Sequence, residues 1–231
     1  MHLNDMENLS EQIAQRISEQ IITGELVEWE RIQELRIAKE LQVSRGSVRE
    51  ALLLLERTHL IQIYPRRGAV VSEMTTQQIQ GLFDSSTLVL TYIVQRMSDV
   101  LRPHEAAVLR TIFTQLEQHA KQGSAEKFYD VFFGYLAEQQ DMVANPYLMK
   151  FYRELLPSVR RSYFLTLNTS KRELQEALEL SKLLIDAILS RNSQQATLFM
   201  EDFCRHLCNL VLESLTRMKQ IELAWARRSR R

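Results

Sequence analysis

The chain has little of what interrupts or anchors structure. Six glycines and four prolines in 231 residues leave few turn signals, and that scarcity argues for helices. Two cysteines, Cys204 and Cys208, lie four apart in "CRHLC". They are too few for a disulfide framework and fit a reducing compartment. The opening residues lack a signal-peptide pattern, so a cytoplasmic location is expected. No apolar run approaches the roughly 20 residues that span a bilayer, so no membrane partner is expected. Charge of one sign is also missing: 29 basic residues balance 29 acidic ones, and any nucleic-acid surface has to be local. No phosphate loop, no nucleophile motif and no matched pair of Glu-x-x-His motifs is found, so no catalysis is expected.

What is present is helical periodicity. Leu9, Ile13, Ile17 and Ile21 form one helix face, with Ser10 as a start and Gly24 just past the end. A short helix fits Glu34 to Leu41 and a third runs from Ser44 to about Arg57. In "LIQIYPRRGAVVSEM" the period changes. Ile61, Ile63, Val70 and Val71 flank "PRRG", which predicts a β-hairpin. Beyond Thr75 the pattern predicts helices near 76–101, 104–122, 125–143, 146–166, 171–190 and 193–220. Asn145-Pro146 is a cap followed by proline at the first helical position. Pro157 is expected to kink or break its helix, and the basic tail "WARRSRR" is expected to fray. The fold class is therefore mainly α: a winged helix-turn-helix with a small hairpin over 1–74, and an all-α helical bundle over 75–231.

Three short helices and a hairpin suit DNA. In "LQVSRGSVREALLLLE", Val48, Leu52 and Leu55 face a core. Arg45, Gly46, Ser47 and Arg49 then lie on the outer side at the helix start. Arginine can grip a guanine edge with two hydrogen bonds, while Ser44, Ser47 and free backbone N–H groups can reach phosphate. Arg36 on the preceding helix and Arg66, Arg67 and Gly68 at the hairpin tip complete the candidate DNA-binding set. The competing reading is a winged helix used for protein contacts, with its arginines solvated. The first 74 residues hold slightly more acids than bases, which favours that rival mildly. One recognition helix makes too few contacts for specificity, so a homodimer on an inverted-repeat operator is expected.

These residues resemble a family. "RIQELRIAKELQVSRGSVREALLLLERTHLIQIYPRRGAVV" is similar to the N-terminal domain of GntR-type bacterial transcription regulators, including the V-S-R-x-x-V-R-E-A-L core and the P-x-R-G-A-x-V wing. The resemblance implies a recognition helix carrying Ser44, Arg45, Gly46, Ser47 and Arg49. Thr-Pro is often found where this chain has Gly46-Ser47, and a glycine usually stands where His59 does. The second half resembles the effector domain of the FadR branch, on "NPYL" and "LLIDAILSRNSQQATLFM". Many such domains bind a divalent metal through one Asp and three His, and through it a small carboxylate.

That resemblance gives meaning to "FYDVFFGYLA", an apolar segment with one acid and one glycine. Asp130 falls where the family's Asp lies. Gly134, Ser181 and Phe203 fall at the three His positions, and Ser86 replaces an arginine on the first helix of the domain. Three of four ligands are missing, so no metal and no other cofactor is expected. Ser86, Ser181 and Phe203 all lie on apolar stripes and should face the core. The tentative effector-binding set is Ser86, Asp130, Gly134, Arg160, Tyr163, Ser181, Phe203 and His206, around a mostly apolar ligand. By analogy with the acyl-CoA-responsive branch, that ligand is fatty-acyl-like or another small organic acid. Two alternatives stand beside this: a constitutive regulator without effector, and a metal-dependent organic-acid sensor with displaced ligands such as His206. Asp130, if buried, needs a partner, with His206, Arg160, Arg161, Tyr135 and Tyr163 as candidates.

Overall fold

The computed structural model describes residues 3–166 and 170–228, with side-chain surroundings for 9–166 and 170–221. The chain divides into two compact units: Met1–Met74 with Glu154–Arg161, and Thr75–Arg153 with Ser162–Arg231.

In the first unit, α1 (Leu3–Ile22), α2 (Glu34–Glu40) and α3 (Arg45–Arg57) precede an antiparallel hairpin of β1 (Ile61–Tyr64) and β2 (Gly68–Val71). Ile61 pairs with Val71 and Tyr64 with Gly68. The apolar stripe of α1 is buried through Ile13, Ile17 and Ile21, and that of α3 through Val48, Ala51, Leu52 and Leu55. Leu60, Ile61, Ala69 and Val71 close the same core. Each fully buried aliphatic side chain contributes about 1.5–3 kcal/mol. Segment 29–32 runs along the free edge of β2. Ile32 N–H donates to Ala69 (2.9 Å) and Trp29 N–H to Val71 (3.1 Å). That shields an edge which would otherwise offer unpaired backbone groups. His59 ends α3 in the left-handed region, at φ 61°. Its N–H donates to Glu56 at 3.0 Å, and the conformation costs roughly 1–2 kcal/mol without glycine.

Residues 154–161 are held into this unit by polar contacts. Ser158 donates to the Thr58 carbonyl at 2.6 Å and Arg160 pairs with Glu19. The Arg161 guanidinium is buried and donates to the Ser72 carbonyl at 2.8 Å, with Glu28 at 3.7 Å. Burial lowers its pKa, and the Glu28 carboxylate opposes that shift.

The second unit is helical throughout its described residues. It comprises α4 (Thr76–Val100), α5 (Pro103–Gln122), α6 (Ala125–Ala137), α7 (Gln140–Val143), α9 (Lys171–Leu189), α10 (Ser193–Arg228) and the ends of α8 (Pro146–Phe164). The starts are set by side chains. Thr75 and Gln78 form a capping box on α4, as do Ser170 and Glu173 on α9, and Asn145 caps α8 ahead of Pro146. Gly123, at φ 68°, ends α5. Phe203, Leu207 and Val211 of α10 and Leu90, Ile93, Val94 and Met97 of α4 are buried.

Three expectations are corrected. The helix expected over 125–143 is two pieces. The Gln139 side-chain amide donates to the Tyr135 carbonyl at 2.6 Å, while its backbone N–H turns to Leu136. The side chain thus takes the acceptor that a continuing α-helix would use. Pro157 does not break α8, which runs through it. One lost hydrogen bond and a ring clash cost about 3 kcal/mol, offset by burial of Tyr152, Leu155, Val159 and Tyr163 on the same helix. Helix α10 continues to Arg228, past the expected end near 220 and into the tail expected to fray. Of the tail "WARRSRR", residues 229–231 lie outside the described residues.

Candidate nucleic-acid interface and effector region

Helix α3 starts at a serine cap. Ser44 accepts from the Ser47 N–H at 3.0 Å, and the two hydroxyls share a hydrogen bond of 2.9 Å. The cap aims the first turn outward. The side chains of Arg45 and Arg49 are 59% and 65% exposed. They are not splayed at random. Arg49 Nε donates to Glu34 Oε2 at 2.9 Å, and an Arg45 nitrogen lies 3.9 Å from the same oxygen. One carboxylate on α2 therefore holds both guanidinium groups on one face. Exposed pairs of this kind contribute only about 0.2–1 kcal/mol, so a phosphate or base edge can displace the carboxylate. Arg36 pairs in the same exposed manner with Glu40, at 2.7 Å.

Ser47 corrects the sequence reading. It is 3% exposed, because its position one turn before Ala51 places it on the inner stripe. Its hydroxyl is tied to Ser44, so it supports the cap and does not face outward. Gly46 is exposed; a Cβ there would meet only Ser44 Oγ, at an ordinary 3.5 Å. Nothing inside the protein demands glycine at that point.

At the hairpin tip Arg66 and Arg67 are exposed. Arg66 and Gly68 both take positive φ, 66° and 79°. Glycine adopts this freely, whereas the arginine holds roughly 1–2 kcal/mol of local strain at the tip. The sequence reading missed Arg31. Residue 31 bridges to Val70, and its guanidinium lies 3.8 Å from the point where a Gly68 Cβ would stand. It adds a third basic group at the base of the wing. Glu34 was missed as well. Its charge opposes DNA in isolation, and only the fold reveals that it aligns Arg45 and Arg49.

In the second unit α6 carries both Asp130 and Gly134. Asp130 is half-buried and accepts from the buried Tyr163 hydroxyl. Tyr163 was one of five candidate partners. Gly134, one turn on, is half-buried, and a Cβ there would meet nothing within 4 Å outside its own helix. So there is open space beside Gly134, where the resemblance led to the expectation of a histidine.

The other replaced positions are core. Phe203 is fully buried and stacks on Phe132 at 4.1 Å. Tyr129 and Phe133 pack edge-on to it at 6.4 Å and 6.0 Å. Tyr163 joins the cluster through Tyr129 at 5.1 Å and Phe133 at 5.9 Å. Burial raises the Tyr129 pKa, with the nearby Glu173 charge acting in the same direction. Ser181 is buried and donates to the Ala177 carbonyl one turn back, at 2.8 Å. Ser86 differs: its buried hydroxyl has no partner among the described residues. His206 Nδ1 lies 3.8 Å from Glu176, and its Nε2 is buried without a partner among the described residues. Arg160 belongs with the first unit, where it pairs with Glu19. Thus Asp130, Tyr163 and Phe203 share one aromatic cluster, whereas no such contact joins Ser181, Ser86 and His206 to it among those described.

The donor chemistry does not fit a metal. Phe203 and Gly134 supply no side-chain ligand, and Ser181 is committed to its own helix. Among the described residues no three His, Cys, Asp or Glu side chains stand close enough to hold an ion. Beside Phe132 a small, partly open apolar cavity of about 20 Å³ lies between α4, α5, α6 and α9. Met97, Leu109, Phe132, Leu136 and Leu184 wall it, with Tyr135 at its edge. The Tyr135 phenol is pushed up to about 12 by burial and the Glu105 charge. No helix among the described residues is long and apolar enough to cross a membrane.

Comparison with known proteins agrees with this geometry. Residues 9–71 match the bacterial regulatory proteins of the gntR family, and residues 87–206 match the FCD domain. The gluconate operon transcriptional repressor of Bacillus licheniformis is 24% identical over 72% of this chain and 68% of its own length. The repressor of the same name from Bacillus subtilis is 25% identical over 78% and 75%. Among solved structures, E. coli McbR/YncC superposes with a TM-score of 0.70 at 20% identity, over 93% of this chain and 98% of that one. A GntR regulator from Rhodococcus gives 0.70 at 17%, over 88% and 97%. These likenesses in structure concern the fold.

Proposed function

The chain belongs to the GntR-type transcription regulators that carry an FCD domain, and from that premise we propose that it is a homodimeric repressor released by a small effector. The observation that carries the reading is the pair of exposed guanidinium groups, Arg45 and Arg49, aligned by Glu34 at the capped start of α3. A major groove accepts a helix entering by this end, and each bidentate arginine–guanine contact discriminates by about 1–3 kcal/mol. Arg66 and Arg67, with Arg31 behind them, serve an adjacent groove or phosphate. Two copies related by a two-fold axis read an inverted repeat. The names of the Bacillus relatives support repression as the sign of control.

The effector is an apolar molecule, fatty-acyl-like or another small organic acid, held in the FCD domain. The support is the open space at Gly134 and the unmatched Ser86 hydroxyl. Ligand and operator oppose each other by linkage, each favouring a different placement of the two heads. The metal-dependent sensor with displaced ligands is the less favoured reading, because among the described residues His206 does not stand in a group of three His, Cys, Asp or Glu side chains. Footprinting of full-length protein on the upstream regions of its own genome tests the DNA reading. A protected inverted repeat is expected, and uniform cleavage would refute it. Thermal melting with acyl-CoA and organic-acid panels, with and without chelator, tests the effector. A ligand-specific rise indifferent to chelator is expected. If no ligand raises the melt, the constitutive regulator is the better account.

A further inference from the structure

Leu53 packs into no core. It lies on α3 and is 55% exposed, whereas Val48, Ala51, Leu52 and Leu55 of the same helix are buried. A single exposed leucine is common on protein surfaces. What sets this one apart is its place in a row. Four residues along a helix return to nearly the same face, with a drift of about 40°. Arg45, Arg49, Leu53 and Arg57 therefore form one outward row, and all four are exposed. The apolar member stands between two arginines.

The acids of α3 are engaged elsewhere. Glu50 accepts from the Ser10 hydroxyl of α1 at 2.8 Å, and Glu56 accepts from the Ile63 N–H of β1 at 2.9 Å. An apolar side chain framed by cations suits a partner that is anionic and yet offers an apolar group. An aliphatic protein patch would strip water from those guanidinium groups without pairing them. The major groove has both properties, since phosphates run along its edges and the thymine 5-methyl group projects into it. The row is also continuous with Arg45 and Arg49, the groups assigned to guanine. At 1.5 Å per residue Leu53 lies about 6 Å beyond Arg49, or about two base-pair steps. Helix-dipole complementarity accounts for Arg57 in the last turn, but it gives no role to Leu53.

We propose that Leu53 is a specificity-determining residue that packs on a thymine 5-methyl group in each half-site, beside the guanines gripped by Arg45 and Arg49. This rests on the DNA-binding reading of α3. The test uses full-length protein and a duplex that the wild type selects from a randomised library. Each thymine is replaced in turn by deoxyuridine, which lacks only that methyl group. Affinity is measured at one salt concentration for the wild type, Leu53→Ala and Leu53→Met. At one position the replacement is expected to weaken the wild type about fourfold per half-site, the factor that burial of one such group supplies. Leu53→Ala should be indifferent to it, and Leu53→Met, which keeps an apolar side chain, should retain the sensitivity. The slope of log affinity against log salt should be equal in all three, because no charge changes. A wild type that selects an operator and is indifferent to every deoxyuridine overturns the contact alone. So does a Leu53→Ala protein as sensitive as the wild type. A Leu53→Ala protein that elutes as a smaller species, and loses affinity equally for thymine and deoxyuridine duplexes, also overturns it and assigns the leucine to a protein contact. If the wild type selects no sequence, the DNA reading of α3 falls together with the role of Leu53.

Discussion

Helices α3 and α6 have the same length, 13 residues, and opposite designs. On α3 the inner stripe is ordinary aliphatic packing, and the functional groups point outward on arginine side chains. On α6 the positions that matter point inward, into rings from α8 and α10. A surface function is built from charges whose meaning follows from their spacing on one helix. A buried function is built from what stands opposite, which no single helix records.

The largest expected effect lies on the buried side of this comparison. Phe203→Ala removes a ring from the centre of the cluster and should cost about 3–5 kcal/mol by chemical denaturation. A loss below 1 kcal/mol would mean that the cluster is loosely packed and that the space opposite α6 is already open. On α3, Arg49→Ala should weaken operator binding by about 1–3 kcal/mol and leave stability within a few tenths. Unchanged affinity at matched salt would show that the exposed arginines serve another surface. Smaller effects sharpen the contrast in backbone terms. Trp29 is 61% exposed and holds a φ of 65°, a conformation costly for a bulky residue. Trp29→Gly should raise stability by about 0.5–1 kcal/mol, and a falling melt would assign that indole a packing role. Gly134→Ala should also stabilise, by up to about 1 kcal/mol, since helix propensity improves and no neighbour is met. Destabilisation there would mean that the space beside α6 closes in solution.

The legible part of the molecule was that governed by short-range rules. Helix starts at Ser44, Thr75, Asn145 and Ser170 follow from side chains that cap their own first turn. The positive φ of His59 follows from its place just past a helix end. The hairpin around "PRRG" follows from a change of period. Burial of Ser86, Ser181 and Phe203 followed from their stripes. Misreadings arose where one contact reversed a local preference. Ser47 looked outward-facing until its hydroxyl was found on Ser44. The long helix over 125–143 divided because the Gln139 amide took a backbone acceptor. Pro157 stayed inside a helix because the burial around it outweighs one missing hydrogen bond.

The sequence by itself determined the order of elements, the faces they bury and the exposed arginines of the recognition helix. These depend on residues within a few positions of one another, where helix and strand geometry sets side-chain direction. Tertiary structure alone decided that Glu34 aligns Arg45 and Arg49, that Arg31 stands beside the wing glycine, and that rings from α6, α8 and α10 meet around Phe203. Those outcomes depend on which side chains from distant segments meet across a packed interior, and spacing along the chain carries no record of that.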